Sequence, residues 1–370
     1  MLHKLAWIVG VGVIGSLGFA FNEAEFASAK VIGLGGAYAA IANDENALFY
    51  NPAGLSFIDP GMLGHVNLEA SMMNDEGARK IEQTILTYTT GNNSVGWNNS
   101  ALQSALNGQS MHLYMAGGAS YFTSGFALGA HTARNMFIRY SSSGQTVNGF
   151  GKNILSWGLS GRPAENLAIG VTIKAISVEA FNSTSTWSAL SAEGAKGTAL
   201  DDNKNKLGRM LALNVGAMSK FGDFSVGVSI ENAFATEVNW EDKSGKSITQ
   251  NKSTYQKAIV SVPRIGLGYS SAENTLLAFD IARFDNADNT TLHFGIQQKL
   301  ADIPFIEWLG GVTVRAGYVM GKQDKLDVNS QVIGASFRIL IAKINVNMIT
   351  KTIGIGSPLS EFSASGQLTF

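Results

Sequence analysis

From Asn166 to Lys174 the chain alternates strictly, with Leu167, Ile169, Val171 and Ile173 set against Asn166, Ala168, Gly170, Thr172 and Lys174. A period of two places the first set on one face of a strand and the second on the other. The pattern returns at Phe224, Val226, Val228 and Ile230 against Ser225, Gly227, Ser229 and Glu231. It recurs at Ile265, Leu267 and Tyr269 against Arg264, Gly266 and Gly268, and at Val312, Val314 and Ala316 against Thr313, Arg315 and Gly317. Ile344, Val346 and Met348 alternate likewise with Asn345 and Asn347. One such segment would also suit a half-buried strand of a soluble sandwich. Here roughly ten recur between Gly64 and Phe370, with no long helical pattern to cover a second face, as a soluble sheet would need. A transmembrane antiparallel β-barrel needs no such cover, because its apolar face meets lipid, its small or polar face lines the lumen, and closure leaves no sheet edge. The pattern therefore predicts an all-β, membrane-spanning barrel.

Links of two lengths separate the predicted strands. Phe221-Gly222-Asp223 and Ser270 to Asn274 are short, whereas Gly91 to Ser110, Ala180 to Lys206 and Ala235 to Lys257 are long, polar and read as extracellular loops. Within the first, Ala101 to Leu106 can form a turn or two of helix before Asn107-Gly108 ends it. At the N-terminus, Met1 to Lys4 is a short cationic region, Leu5 to Leu17 is apolar, and Gly18-Phe19-Ala20 has the small residues a signal peptidase reads. The apolar run is short for a membrane anchor of about 20 residues. Cleavage after Ala20 is expected, Ala27-Ser28-Ala29 being a second and more distant site of the same form. Removing residues 1–20, and roughly 40 more before the first strand, leaves room for twelve to sixteen strands of about 10 residues with their links.

Composition narrows the chemistry. Charged residues make up 15% of the chain, against about 25% in soluble domains. Lys plus Arg (27) nearly balances Asp plus Glu (28), so no net field draws in nucleic acid. With no cysteine there is no disulfide, thiolate nucleophile or Cys-ligated metal. His3, His65, His112, His131 and His293 are scattered without metal-ligand spacing, and no Gly-x-Ser-x-Gly elbow occurs. Gly33-Leu34-Gly35-Gly36 opens like a dinucleotide fingerprint, but its last Gly would fall at Tyr38. Asp201 to Asn205 is similar to a calcium loop, yet Lys206 and Ala212 stand where Gly and Glu are needed. Neither an enzyme nor a metal or cofactor site is expected.

The stretch from Lys30 to Ser56 carries the most information. Asn43 or Asp44 is placed to cap a helix of about two turns through Tyr50. Pro52 cannot continue that helix and pushes Asn51 into extended backbone, and Gly54 can take a positive φ. A compact plug is expected. Gly33-Leu34-Gly35-Gly36-Ala37-Tyr38-Ala39-Ala40, Asn43-Asp44 and Asn51-Pro52-Ala53-Gly54-Leu55 resemble the N-terminal signature of the PorV/PorQ-like proteins, within the FadL-like (long-chain fatty acid transporter) superfamily of outer-membrane barrels. Arg264 to Tyr269, Leu277 to Arg283 and Arg315 to Tyr318 are similar in style. Asn43 departs from the Asp of that pattern, a mild change because Asn also caps helices. The resemblance implies about fourteen strands and a hatch inside the lumen carrying Gly33, Gly35, Gly36, Asp44, Asn51, Pro52, Ala53 and Gly54. The implied organisation is a signal peptide over 1–20, a hatch over 21–60 and a barrel over 61–370.

The alternation from Phe362 to Phe370 resembles the C-terminal signal of such barrels, whose final aromatic residue, here Phe370, is read by the barrel-assembly machinery before the last strand closes on the first. Lys174, Glu231, Arg264, Asp280 and Arg315 fall on the small or polar faces, where they either pair across the lumen or meet a ligand; Arg264 and Arg315 are placed to anchor the hatch. Two roles follow for a bacterial outer-membrane protein embedded in lipid. One is passive uptake of hydrophobic small molecules such as long-chain fatty acids. The other is a PorV-like partner or shuttle for secreted or surface proteins.

Overall fold

The computed structural model describes residues 28–58, 64–74, 81, 83–84, 99–187, 204–237, 239–241, 260–271, 274–300, 309–323, 325–339, 342–353 and 359–369. The expected signal peptide and Phe370 lie outside them. The strands are β1 (Gly64–Asn74), β2 (Ser110–Thr123), β3 (Phe126–Ser141), β4 (Gly144–Ala164), β5 (Leu167–Thr186), β6 (Lys204–Phe221), β7 (Phe224–Ala235) and β8 (Asn239–Glu241). After them come β9 (Val262–Ser270), β10 (Thr275–Ala282), β11 (Thr291–Lys299), β12 (Leu309–Gln323), β13 (Leu326–Ile339), β14 (Ala342–Ile353) and β15 (Leu359–Thr369).

Every pairing is antiparallel. The seven strands β1 to β7 and the seven from β9 to β15 join in chain order, β7 pairing directly with β9, and β15 returns to β1 from His65 opposite Thr369 to Asn74 opposite Ser360. Fourteen strands thus close a ring in which each has two partners. β8 pairs with Leu207 to Arg209 of β6, beyond the point where β7 leaves that strand.

The faces follow the alternation. Ile169, Val171 and Ile173 are exposed while Ala168, Thr172 and Lys174 are buried; Val226 and Val228 are exposed while Ser225, Ser229 and Glu231 are buried. Ile265, Leu267, Val314, Ile344 and Met348 join the outer band, and Arg264, Arg315, Asn345 and Asn347 the interior. Large aliphatic side chains ringing the outside would be unfavourable in water and are satisfied in lipid. The chain is a transmembrane β-barrel.

The wall is uneven. β4, β5 and β6 have 21, 20 and 18 residues, β9, β10 and β11 only 9, 8 and 9. About 9 to 11 residues cross a bilayer, so β4 to β6 project beyond it at the end bearing the long links. This corrects the reading of Ala180 to Lys206 as loop: β5 runs on to Thr186 and β6 starts at Lys204, with Glu179 opposite Leu207 and Phe181 opposite Lys204. Outside lipid a strand can keep its backbone pairing without an apolar face. Ala235 to Lys257 likewise contains β8. The predicted turns at Phe221 to Asp223 and Ser270 to Asn274 stand as short links, Gly222 having a φ of 59°. The predicted helix at Ala101 to Leu106 spans Ser100–Leu106, where Asn99 Oδ1 accepts from Ala101 N and Leu102 N.

Val171→Arg puts a charge in the middle of the outer band and should cost about 2 to 4 kcal/mol in bilayers. Denaturant titration in vesicles, read by the gel mobility of folded against unfolded protein, measures that loss.

Candidate functional site: the segment inside the barrel

Residues 28–58 lie within the ring, almost every side chain buried. The segment begins with α1 (Ala29–Gly33), whose N-cap Ser28 accepts from Val31 N. Gly35 and Gly36 then turn the chain with φ of 64° and 82°, values only Gly adopts without strain. The next helix is α2 (Ala47–Tyr50), and a 3-10 turn follows over Pro52–Phe57.

Two local expectations change here. α2 is a single turn with N-cap Asn46, not a two-turn helix capped from Asn43 or Asp44. Asp44 is engaged elsewhere: Oδ2 accepts from Lys30 Nζ at 2.6 Å and Tyr38 OH at 2.7 Å, and Oδ1 from Asn46 N and Nδ2 at 3.0 Å. It ties the two halves of the segment together. Gly54 sits in the 3-10 turn and not at positive φ; Gly is needed because an added Cβ would overlap the Ala42 carbonyl oxygen.

Asn51 is extended, with φ −155° and ψ 98°, as the residue before a proline prefers. Its Oδ1 accepts from Ala53 N at 3.2 Å, and its Nδ2 donates to Ala39 O at 2.7 Å and to Ala217 O on β6 at 3.1 Å. One amide therefore caps the turn, holds the earlier chain and reaches the wall. Pro52 occupies the first position of the turn, where no N–H is needed. Ala53 packs with Ala168 and Met218.

The wall meets this backbone with glycine. On β5, β6, β7, β9, β11 and β12 the facing positions are Gly170, Gly216, Gly227, Gly266, Gly295 and Gly317. At Gly227 an added Cβ would fall on the carbonyl of Ala39, which has no room to withdraw between Asn51 and the wall.

Where β10 meets the segment, the contact is a carboxylate. Asp280 Oδ2 accepts from Tyr38 N at 2.7 Å and Ala39 N at 2.8 Å, fully buried. One oxygen thus satisfies two backbone N–H groups that the segment does not pair internally. On β9, Arg264 Nε donates to Glu231 Oε1 of β7 at 2.8 Å, and the guanidinium lies 5.5 Å from the centre of the Tyr50 ring. Lys174 Nζ donates to Asn232 Oδ1 at 2.5 Å. Arg315 stands apart, bonding Gln297 Oε1 at 2.8 Å and Ser336 Oγ at 3.1 Å beside Gly33. All five charges singled out in the sequence face inward; Glu231 and Arg264 are an ion pair with Arg264 over Tyr50, and Asp280 accepts from the segment's backbone.

Further anchors are two amides and an imidazole. Asn214 Nδ2 donates to Leu48 O at 3.2 Å and Phe49 O at 3.1 Å, Asn347 Nδ2 donates to Ala29 O at 3.0 Å, and His293 Nδ1 bonds Gly35 O at 2.7 Å. The phase of β14 had placed Asn347 on the inner face, but nothing in the sequence pairs it with Ala29. Against β3 to β6 the contact is different: Leu48 and Phe49 pack with Ile154, Ile176, Val178 and Met210, and Phe49 meets His131 edge-on with centroids 4.9 Å apart. The same strands also bond the segment, Ser160 Oγ of β4 donating to Ala53 O at 3.0 Å beside the Asn214 and Ala217 contacts of β6, so the apolar cluster lies among polar anchors. Among the described residues no cluster of His, Asp or Glu is placed to hold a metal.

No family model matches the sequence, and no curated protein matches it. Solved structures share the fold. The Pseudomonas putida toluene transporter TodX is similar with a TM-score of 0.55 and 13% identity over 93% of this chain and 98% of that one. The Ralstonia pickettii toluene transporter TbuX gives 0.53 and 12%, over 94% and 99%. A Pseudomonas aeruginosa FadL homologue gives 0.50 and 14%, over 90% and 96%. The chain shares the barrel fold of these proteins.

Asp280→Ala strands two segment N–H groups and should cost about 3 to 5 kcal/mol. The temperature at which the folded gel band is lost measures it. Gly227→Val should prevent the segment from seating, so that protease cuts within residues 28–58 of the folded barrel. Burial raises the Asp44 carboxyl, but the Lys30 ammonium and the hydrogen bonds from Lys30, Tyr38 and Asn46 outweigh it and hold the group at about 2. Its bonds therefore stabilise the segment above the ordinary carboxylate range of about 4, and that contribution fades as pH falls from there toward 2. Pepsin nicking of the segment should rise over this window, and Asp44→Asn should flatten the rise.

Proposed function

We infer that this protein is an outer-membrane channel for passive uptake of hydrophobic small molecules, of the long-chain fatty acid kind, in which the internal segment is the hatch. The observation that carries this is the apolar cluster inside the lumen, where Leu48 and Phe49 of the segment join Ile154, Ile176, Val178 and Met210 of β4 to β6. The segment is held in the lumen by hydrogen bonds to β4, β6, β10, β11 and β14, and this cluster lies among them. An apolar molecule can replace the Leu48 and Phe49 side-chain contacts without stranding hydrogen-bonding groups, whereas a polar solute gains little from the aliphatic side chains there. The likeness to barrels named as toluene transporters adds support at the level of the fold. Gly33, Gly35, Gly36, Asp44, Asn51, Pro52, Ala53 and Gly54 are the residues that shape the hatch in this reading. The signal peptide spans 1–20, the hatch 21–60 and the barrel 61–370, and the sub-family is PorV/PorQ-like. The role as a secretion partner gains nothing from these likenesses.

Cells lacking their own fatty acid porin and expressing this chain should take up radiolabelled oleate, and Asn51→Ala, which loosens the hatch, should change the rate several-fold. A folded, surface-exposed protein that gives no uptake above background, and that co-purifies instead with exported proteins, would overturn the reading.

A further inference from the structure

The pairing of β6 with β7 breaks at Asn214. Leu213 opposes Phe234 and Val215 opposes Ile230, so Asn214 faces Glu231, Asn232 and Ala233 across a bulge. Asn232 holds a φ of 51°, a left-handed value that Asn tolerates better than most residues. The Asn214 side chain fills the gap, its Oδ1 accepting from Asn232 N at 2.8 Å. Bulges of this kind re-aim side chains, and strained residues persist where their surroundings require them.

This bulge grips the C-terminal part of α2. Asn214 donates its amide to the carbonyls of Leu48 and Phe49, groups that a one-turn helix leaves without partners. Glu231, the neighbouring residue, holds the Arg264 guanidinium over Tyr50. The bulge also faces outward along the chain. Asn232 Nδ2 donates to Val260 O at 3.2 Å, in the long link between β7 and β9, and Asn232 Oδ1 accepts from Lys174. A continuous line of hydrogen bonds runs from that link, through Asn232 and Asn214, to the backbone of α2. Leu48 and Phe49 of α2 share an apolar cluster with Ile154, Ile176 and Met210.

We propose that the β7 bulge is the catch of the hatch: Asn232 and Asn214 are positioning residues that hold α2 closed, and loss of the Asn232 bond to Val260 releases it. Releasing α2 alone uncovers the apolar wall of β4 to β6 while Asp280, Asn51 and Asn347 keep the rest of the segment seated. The assignment of apolar cargo to that opening rests on the uptake reading above; the catch itself does not.

The absence of native cysteine makes a direct test available. Ala47→Cys reports on α2 and Ala53→Cys on the separately anchored 3-10 turn; both positions are fully buried. Each is labelled with a membrane-impermeant maleimide in the full-length folded protein in vesicles. Asn232→Gly keeps the left-handed backbone and the N–H to Asn214 but removes the ties to Val260 and Lys174. Asn214→Ala removes the clamp on α2. Both changes should raise labelling at Ala47→Cys at least tenfold and leave Ala53→Cys unchanged, and Asn232→Asp, which keeps the Lys174 contact and loses the donor to Val260, should match Asn232→Gly. Unchanged labelling at Ala47→Cys, or an equal rise at both positions, would overturn the catch. Faster labelling of α2 without any change in oleate uptake would leave the catch standing and count against the apolar cargo.

Discussion

A backbone that runs through the inside of a membrane barrel cannot rely on bulk water, and each buried N–H or C=O left unpaired there costs free energy comparable to a lost hydrogen bond. Residues 28–58 are too irregular to satisfy themselves as one long helix would. The wall has to supply the missing partners at the right heights, and it has to come close enough to do so. Asp280 serves Tyr38 and Ala39, Asn214 serves Leu48 and Phe49, His293 serves Gly35, and Asn347 serves Ala29. Glycine on strand after strand supplies the closeness. The two devices depend on each other, since a side chain at Gly227 would hold Ala39 away from both Asp280 and Asn51.

That dependence explains why the Asn51-Pro52-Ala53-Gly54 run is spelled as it is. Each residue meets a separate demand: Asn51 links three parts of the structure through one amide, Pro52 starts a turn without an orphan N–H, and Ala53 and Gly54 leave room for the wall and for Ala42. A side chain at Gly54 would overlap the Ala42 carbonyl and spread the segment's own folds apart. The Lys30, Tyr38 and Asp44 knot does the corresponding work within the segment, so that its two halves are presented to the wall as one body.

Charge is placed with the same economy. A lone charge in this interior would carry a desolvation cost of several kcal/mol, and Arg264 is matched by Glu231 while Asp280 is met by two N–H donors. On β5 the buried Lys174 is met by Asn232 Oδ1 in the same way, and Ile154, Ile176 and Val178 form an apolar cluster with Leu48 and Phe49 between such groups.

The sequence alone determined the architecture, because barrel physics is written in a local pattern: period two, small residues inward, short and long links in alternation. The phase of that pattern placed Lys174, Glu231, Arg264, Asp280 and Arg315 on the inner face, and the Asn-Pro-Ala run marked the segment that occupies it. Partners were another matter. Tyr38 and Asp280 are separated by most of the barrel in the chain, and which inward residue meets which depends on ring closure and register, where a shift of one residue inverts a strand. Alternation could therefore name the charges that face the lumen but not pair Asp280 with the Tyr38 and Ala39 N–H groups. The bulge opposite Asn214 breaks the very period that made the strands legible, and the extension of β5 and β6 lies where no lipid imposes a period at all. Those features arise only when distant backbones are brought together and their polar groups must be satisfied in place.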